Sequence, residues 1–302
     1  VTLLPLCLML ASGCCHALWN LAAKRVGAGG TPFVWLYSTV AVVVYLPGVI
    51  WLAATGRIDL GWPAVAAIAV GSAGSLGYYV LLQKAYAVGD LSVVYPVARG
   101  TGPLLLVGAG VLLLGERPGV VGLLGTALVV AGVFVVGTGS ARSQAAPVTQ
   151  GEPRRLALRA DVGLGLAAGV LIAACNLWDA RTVAVLAVSP VLLEWVFNIS
   201  RVVVLGPGVL GFREPRRRGV LAQLWREHRY CALAVGVLMP LSYILALWAF
   251  TLAPISLAAP VREVSIVIAC LLGWWLLAEQ QPGRRLLGAV VVLVGVFALA
   301  LA

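Results

Sequence analysis

The sequence predicts an all-α integral membrane protein of about ten transmembrane helices, arranged as two inverted-topology five-helix repeats. Three observations predict it. The composition is 62% hydrophobic and only 11% charged. Apolar runs recur that are long enough to cross a bilayer. The two halves of the chain match one another in order. A soluble domain carries about a quarter charged residues, and a mean hydropathy of +1.03 over 302 residues leaves no polar exterior to face water. Each span takes about 20 residues to cross a core of roughly 30 Å, so the connections must be short.

The runs, in order, are Leu3–Ala22, Phe33–Thr55, Trp62–Tyr86, Leu91–Leu114 and Val120–Gly137, then Val162–Ala180, Pro190–Leu210, Cys231–Leu252, Ile255–Leu277 and Leu286–Leu301. They are continuous and long, where barrel strands would alternate in pieces of about ten residues. Ala11-Ser12-Gly13-Cys14 partly resembles a lipoprotein processing site. No basic segment precedes it and the apolar run continues past it, so it reads as part of the first span.

Between residues 139 and 160 the composition turns to Ser, Gln, Pro, Glu and Arg. This polar linker separates a first repeat, 1–138, from a second, 161–302. A further polar stretch, Phe212 to Tyr230, holds Arg216, Arg217, Arg218, Arg226 and Arg229. It reads as a solvated basic loop at the membrane surface, near anionic headgroups.

The duplication is the strongest organisational signal. Tyr79, Ala85, Ser92, Pro96 and Val97 recur as Tyr243, Ala249, Ser256, Pro260 and Val261. Leu113-Leu114-x-Glu116 recurs as Leu276-Leu277-x-Glu279, Leu123-Leu124-Gly125 as Leu286-Leu287-Gly288, and Gly132-Val133-Phe134 as Gly295-Val296-Phe297. Apolar bias alone matches Leu and Val; it does not match Pro, Glu, Tyr and Gly in one order. Five spans is an odd number, so the second half enters the membrane upside down. Such repeats hold a substrate site between their halves and expose it alternately to each side. The expectation is therefore transport.

The net charge of +10 fits topology better than a nucleic-acid partner, because the cations cluster at the ends of apolar runs. Lys24, Arg25, Arg142, Arg154, Arg155, Arg159, Arg284, Arg285 and six arginines from Arg213 to Arg229 fall on one side. Arg57, Arg117 and Arg181 fall on the other. The positive-inside rule then puts both termini outside. The six cysteines have no C-x-x-C spacing and read as small buried residues, neither disulfides nor a metal site.

His16-Ala17-Leu18-Trp19-Asn20 closing with Lys24, the Tyr95-Pro96-Val97-Ala98-Arg99 run and the duplicated Leu-Leu-x-Glu before a Gly-rich helix resemble the EamA-type repeats of the drug/metabolite transporter superfamily. The resemblance covers nearly the whole chain. It implies a secondary exporter or importer of amino acids, nucleotide-like metabolites or drugs, with a central cavity between the halves. It also implies cytoplasmic termini, opposite to the charge count.

Ionisable groups inside spans are costly and therefore functional candidates. Lys84, Arg99, Glu194, Arg201, Arg262 and Glu263 qualify, with His16 and Asp179 nearer helix ends. Lys84 reads as snorkelling to the headgroups. His16 and Asn20 share a helix face, as do Asn176 and Asp179, and a polar stripe in both halves suits a water-filled cavity. Glu194 and Arg201, two turns apart, read as too distant to pair but both able to face it. Arg99 and Glu263 each follow a proline by three residues, so a two-fold axis sets them at similar depth on opposite sides. They are expected to pair or to compete for substrate there, with Arg262 an extra cation for a carboxylate or phosphate. Tyr79 joins this cavity set. Pro96 and Pro260, in the first turns of their helices, are candidate gating positions. Gly125, Gly132, Gly288 and Gly295 read as packing residues. Glu116 and Glu279 read as interfacial caps on the next helix.

Enzyme signatures are missing. There is no Walker A loop, no H-E-x-x-H, and only two histidines, so neither cofactor, metal nor ATP is expected. An ion gradient would drive a small-molecule substrate, with protons at Glu194 or Glu263 or another coupling ion. The expected location is the inner or plasma membrane, as monomer or dimer. The alternative is a lipid flippase or lipid-handling membrane enzyme.

Overall fold

The computed structural model describes residues 2–27, 29–88, 91–141, 154–210, 216–277 and 282–302. Within these, side chains are left undescribed at 82–88, 91–93, 95–96, 137–141, 154–160, 216–218, 273–277, 282 and 285. Glu279, residues 142–153 of the linker, with Arg142, and Arg213 lie outside what is described, as does the side chain of Lys84. So do the side chains of Pro96, Arg154, Arg155, Arg159, Arg216–Arg218 and Arg285.

Among the described residues every regular element is a helix, without strands. The helices are α1 (Leu3–Val26), α2 (Gly30–Ala54), α3 (Trp62–Val88), α4 (Leu91–Leu114), α5 (Gly119–Ala141), α6 (Arg154–Leu186), α7 (Pro190–Val209), α8 (Arg216–Leu252), α9 (Ile255–Val261), α10 (Val264–Leu277) and α11 (Pro282–Leu301). Nine candidate membrane spans lie among the described residues; α9 and the first part of α10 form one of them, Ile255–Leu272. The apolar part of α11, Leu286–Leu301, is shorter. The chain is a multi-pass membrane protein. Its outer faces say the same, since Leu112 and Trp62 are more than four-fifths exposed and Leu113, Val120 and Leu301 are exposed beside them. That surface belongs in lipid, where it costs nothing.

Three expected boundaries shift. Helix α5 runs on to Ala141 and α6 begins at Arg154, so the linker is helical at both ends. From Arg216 on, the stretch expected as a basic loop is the first part of α8 instead, and residues 212–215 lie outside what is described. Its Arg, Leu, Gln, Glu and Ala residues are good helix formers, and Gln223 Nε2 donates to Glu227 Oε1 at 2.9 Å one turn on. Helix α8 kinks at His228 (φ −126°, ψ 19°), where the polar segment gives way to the span. The third shift is the interruption of Ile255–Leu277 at Arg262–Glu263.

Helix α5 packs along α11, α1 along α8, α4 against α6, α2 against α7 and α8, α3 against α6 and α7, and the α9–α10 pair against α1 and α4. Without water, this association rests on close packing and interhelical hydrogen bonds. On the α5–α11 seam the four glycines meet in reciprocal pairs. A Cβ added at Gly125 would lie 2.9 Å from the Gly295 carbonyl oxygen, and one at Gly295 would lie 2.7 Å from that of Gly125. Gly132 and Gly288 stand in the same relation, at 2.7 and 2.9 Å. Ser12 and Ser242, both fully buried, join α1 to α8, each hydroxyl donating to the other's carbonyl at 2.6 and 2.8 Å. Indole N–H groups bridge further pairs: Trp35 to the Val202 carbonyl at 3.1 Å and Trp195 to that of Val42 at 3.0 Å, both between α2 and α7. Each of these four buried or half-buried donors thus finds a carbonyl on the neighbouring helix.

Candidate functional site

The α9–α10 interruption sets the site. Pro260 is the sixth residue of α9, past the four amides that a helix start leaves unpaired, and not in the first turn as expected. It removes the amide that would bond the Ser256 carbonyl. Beyond it the backbone tightens: Arg262 N donates to Ala259 O, Glu263 N to Pro260 O, and Ser265 N to Arg262 O, all at about three-residue spacing and 3.1–3.2 Å. Glu116, in the connection after α4, fixes the other end of α9. Its two carboxylate oxygens accept from the amides of Ile255 and Ser256, each at 2.8 Å. Glu116 therefore caps α9 across the molecule and not the next helix, as the sequence reading had it. An N-terminus attracts an anion wherever the fold delivers one.

The turn presents Arg262 and Glu263 inward, toward α1 and α4. Arg99 Nη2 of α4 lies 3.6 Å from Glu263 Oε2, so the two equivalent positions do come together as an ion pair. The same Nη2 is 3.1 Å from His16 Nε2 and donates to Ser265 Oγ at 3.3 Å. Arg262 Nη2 lies 3.5 Å from the other ring nitrogen of His16 and donates to Ser242 Oγ at 3.1 Å. His16 thus stands between two guanidinium groups, edge-on to Trp19 at 5.0 Å. Two arginines face one carboxylate, so the group carries excess positive charge. Arg262 Nε is buried without a hydrogen-bond partner.

Beside this group lies a small cavity of about 60 Å³, lined by Arg99, Asn176, Arg262, Glu263 and the apolar Leu106, Ile172 and Phe250, among others. It has room for a few waters and is far smaller than a metabolite site of several hundred Å³. Asn176 Nδ2 donates to the Ile172 carbonyl and Asn20 Nδ2 to that of His16, both at 2.7 Å. Both asparagines therefore hold the turn before them.

A second buried group lies on α7. Asn198 Nδ2 donates to Glu194 Oε1 at 3.1 Å, Arg201 Nη1 donates to Asn198 Oδ1 at 3.2 Å, and Arg201 Nη2 donates to Ser75 Oγ of α3 at 2.7 Å. Arg201 Nη1 is also 3.7 Å from Glu194 Oε1. The expectation that these two are too distant to pair is thereby corrected. Two turns separate the backbones by about 10 Å, but both side chains extend along the helix and close the gap.

Asp179 lies between the groups. It is 2% exposed, and its Oδ2 accepts the Tyr243 hydroxyl at 2.6 Å. Tyr243 turns its ring to Arg262, whose Cζ is 5.8 Å from the centroid. Tyr79 does not join. Its hydroxyl lies 3.4 Å from Thr31 Oγ1 at the start of α2. Ser12, Ser75, Asn198, Ser242, Tyr243 and Ser265 escaped the sequence reading. Only Tyr243 left a usable signal, as the duplicate of Tyr79.

The model of the EamA-like transporter family matches residues 3–138. Over those residues, somewhat under half of the chain, the sequence is similar to the EamA-like transporter family. That family lies in the drug/metabolite transporter superfamily, whose members are membrane transporters, and the apolar helices of this chain are in keeping with the match. Among solved structures 28 chains match. One, described only as "Crystal structure of protein", is 17% identical and covers 98% of this chain and 96% of its own, with a TM-score of 0.73. At that identity the likeness concerns the fold. No curated protein matches. Within this EamA-like fold, the matched segment supplies His16, Asn20 and Arg99. Arg262 and Glu263 come from the segment beyond it.

Proposed function

We propose that the chain is a secondary transporter of a small metabolite bearing a carboxylate or phosphate, working by gradient-coupled alternating access in the inner or plasma membrane. One observation carries the reading: Arg99 and Arg262 converge on His16 beside the cavity, with one carboxylate, Glu263, set against Arg99. An excess guanidinium in a span is tolerable where an anion is periodically delivered to it. The small volume corresponds to an occluded state, and access follows from moving one half against the other.

The halves, 1–138 and 161–302, are proposed as inverted repeats. Their ordered sequence matches support this. So do the reciprocal contacts, because a two-fold that carries Gly125 onto Gly288 and Gly132 onto Gly295 turns the Gly125–Gly295 contact into Gly288–Gly132. The same operation exchanges the α1–α8 and α3–α6 pairings.

The test is counterflow in proteoliposomes, with amino acids, dicarboxylates, sugar phosphates and organic cations offered in turn. Exchange of an anion-bearing compound, lost in Arg262→Gln, is expected. Exchange of cations alone would overturn the substrate class. Movement of fluorescent phospholipid with no solute exchange would favour a lipid flippase.

A further inference from the structure

The three buried acids described inside the spans are not equivalent. Glu263 has Arg99 and Glu194 has Arg201 within ion-pair distance. Asp179 has no such cation among the described residues; its Oδ2 takes the Tyr243 hydroxyl and its Oδ1 has no hydrogen-bond partner. We infer that Asp179 is the proton-binding site that couples transport, with Tyr243 linking it to Arg262. This rests on the transporter reading above and specifies its coupling ion.

The surroundings limit what can neutralise Asp179. On α3 it faces Gly71, where an added Cβ would lie 2.8 Å from Oδ1 and 2.8 Å from the Phe197 ring of α7. The α3 residue set against that oxygen is thus a glycine, which offers it no side chain. From α7 the titratable neighbour is Glu194, whose charge is already met by Asn198 and Arg201. From α8 it is Tyr243, and on its own helix Cys175. No group of three or more metal-ligating side chains occurs among the described residues. An uncompensated carboxylate inside a membrane is expensive. A proton is the cation that fits against a glycine and a phenyl ring.

The linkage also has a sign. Tyr243 bonds Asp179 with its hydroxyl and receives Arg262 on its ring. While Arg262 is unoccupied, its charge favours ionised Asp179 across that ring. An anion seated on Arg262 cancels the charge and favours the proton on Asp179. Anion and proton therefore bind together and move together, a symport stoichiometry. Protonation at Glu194 or Glu263 would instead open an ion pair at each cycle.

Infrared difference spectroscopy of the purified protein, titrated with pH and without any substrate, reads the site directly. The wild type is expected to show a titrating carboxylic-acid C=O stretch that is absent in Asp179→Asn, present in Glu194→Gln, and moved to higher wavenumber in Tyr243→Phe, which loses the donor. No such band, or one that survives Asp179→Asn and vanishes in Glu194→Gln, overturns the assignment. If Asp179→Asn does not fold, the Tyr243→Phe displacement decides. For any compound that exchanges in counterflow, a pH gradient should accelerate wild-type uptake and have no effect in Asp179→Asn. Gradient-driven uptake persisting in that variant refutes the coupling role while leaving transport standing. Failure to find any exchanging compound tells against the transporter reading and leaves the infrared result to decide the proton site.

Discussion

Helix α4 and the α9–α10 pair carry the same signature and fold differently. Pro96-Val97-Ala98-Arg99 sits in one unbroken helix, Leu91–Leu114, while Pro260-Val261-Arg262-Glu263 ends one helix and precedes another. Proline is common to both, so proline is not what breaks the second. The difference is a pair of adjacent charges where α4 has one. Side chains on neighbouring helical residues point about 100° apart. Yet Arg262 must reach Ser242 and His16 while Glu263 reaches Arg99. A tightened turn, with its start pinned by Glu116, aims both. The same sequence motif thus gives an unbroken helix in α4 and an inward-facing charged turn between α9 and α10.

The largest effect expected from breaking this comparison is charge reversal. Arg99→Glu or Glu263→Arg alone puts like charges in contact inside the membrane and should abolish folded yield in detergent, read by size-exclusion chromatography. The double swap should restore part of it. A swap that restores nothing would mean that the 3.6 Å contact contributes no direct pairing. Next in size is neutralisation. Glu263→Gln leaves two guanidinium groups with no anion and should cost about 3–5 kcal/mol in reversible unfolding. Arg99→Gln leaves Arg262 beside Glu263 and should cost less, so equal losses would refute the asymmetry.

Removing the cap comes third. Glu116→Gln keeps the shape but loses charge-assisted bonds to two amides, a loss of about 1–3 kcal/mol. It should speed amide exchange in α9 before it does so elsewhere. The smallest effect is at the proline. Pro260→Ala restores an amide, yet amides 262–266 should still exchange faster than 98–102 of α4. Protection rising to the α4 level would make proline, not charge, the cause of the break.

The fold was largely legible because bilayer thickness writes itself into run length. All ten expected runs coincide with helical segments. The polar ends were not, since Arg, Gln and Glu serve a helix as well as a loop and only the fold decides; α8 is the case in point. The Arg99–Glu263 contact was legible because the ordered matches between the two halves of the sequence suggest a spatial relation that a linear sequence otherwise lacks. The Glu194–Arg201 contact was missed by measuring between backbones and ignoring the reach of side chains. Serines such as Ser242 and Ser265 carry no charge into an apolar run, so nothing marked them until a guanidinium pointed at them. Tyr79 and Tyr243 looked alike in sequence and parted because one lies by Thr31 and the other by Asp179.

The glycine seam between α5 and α11 has a consequence for the chain's history. Each glycine leans on the backbone of the other helix, so no single one can gain a methyl group unless the facing helix retreats, and that helix is held by the remaining three. The quartet is thus a mutational ratchet. While these two helices stay face to face, drift can rework the loops, the lipid surface and the charges of the site. The spine that joins α5 to α11 is left almost no neutral path out.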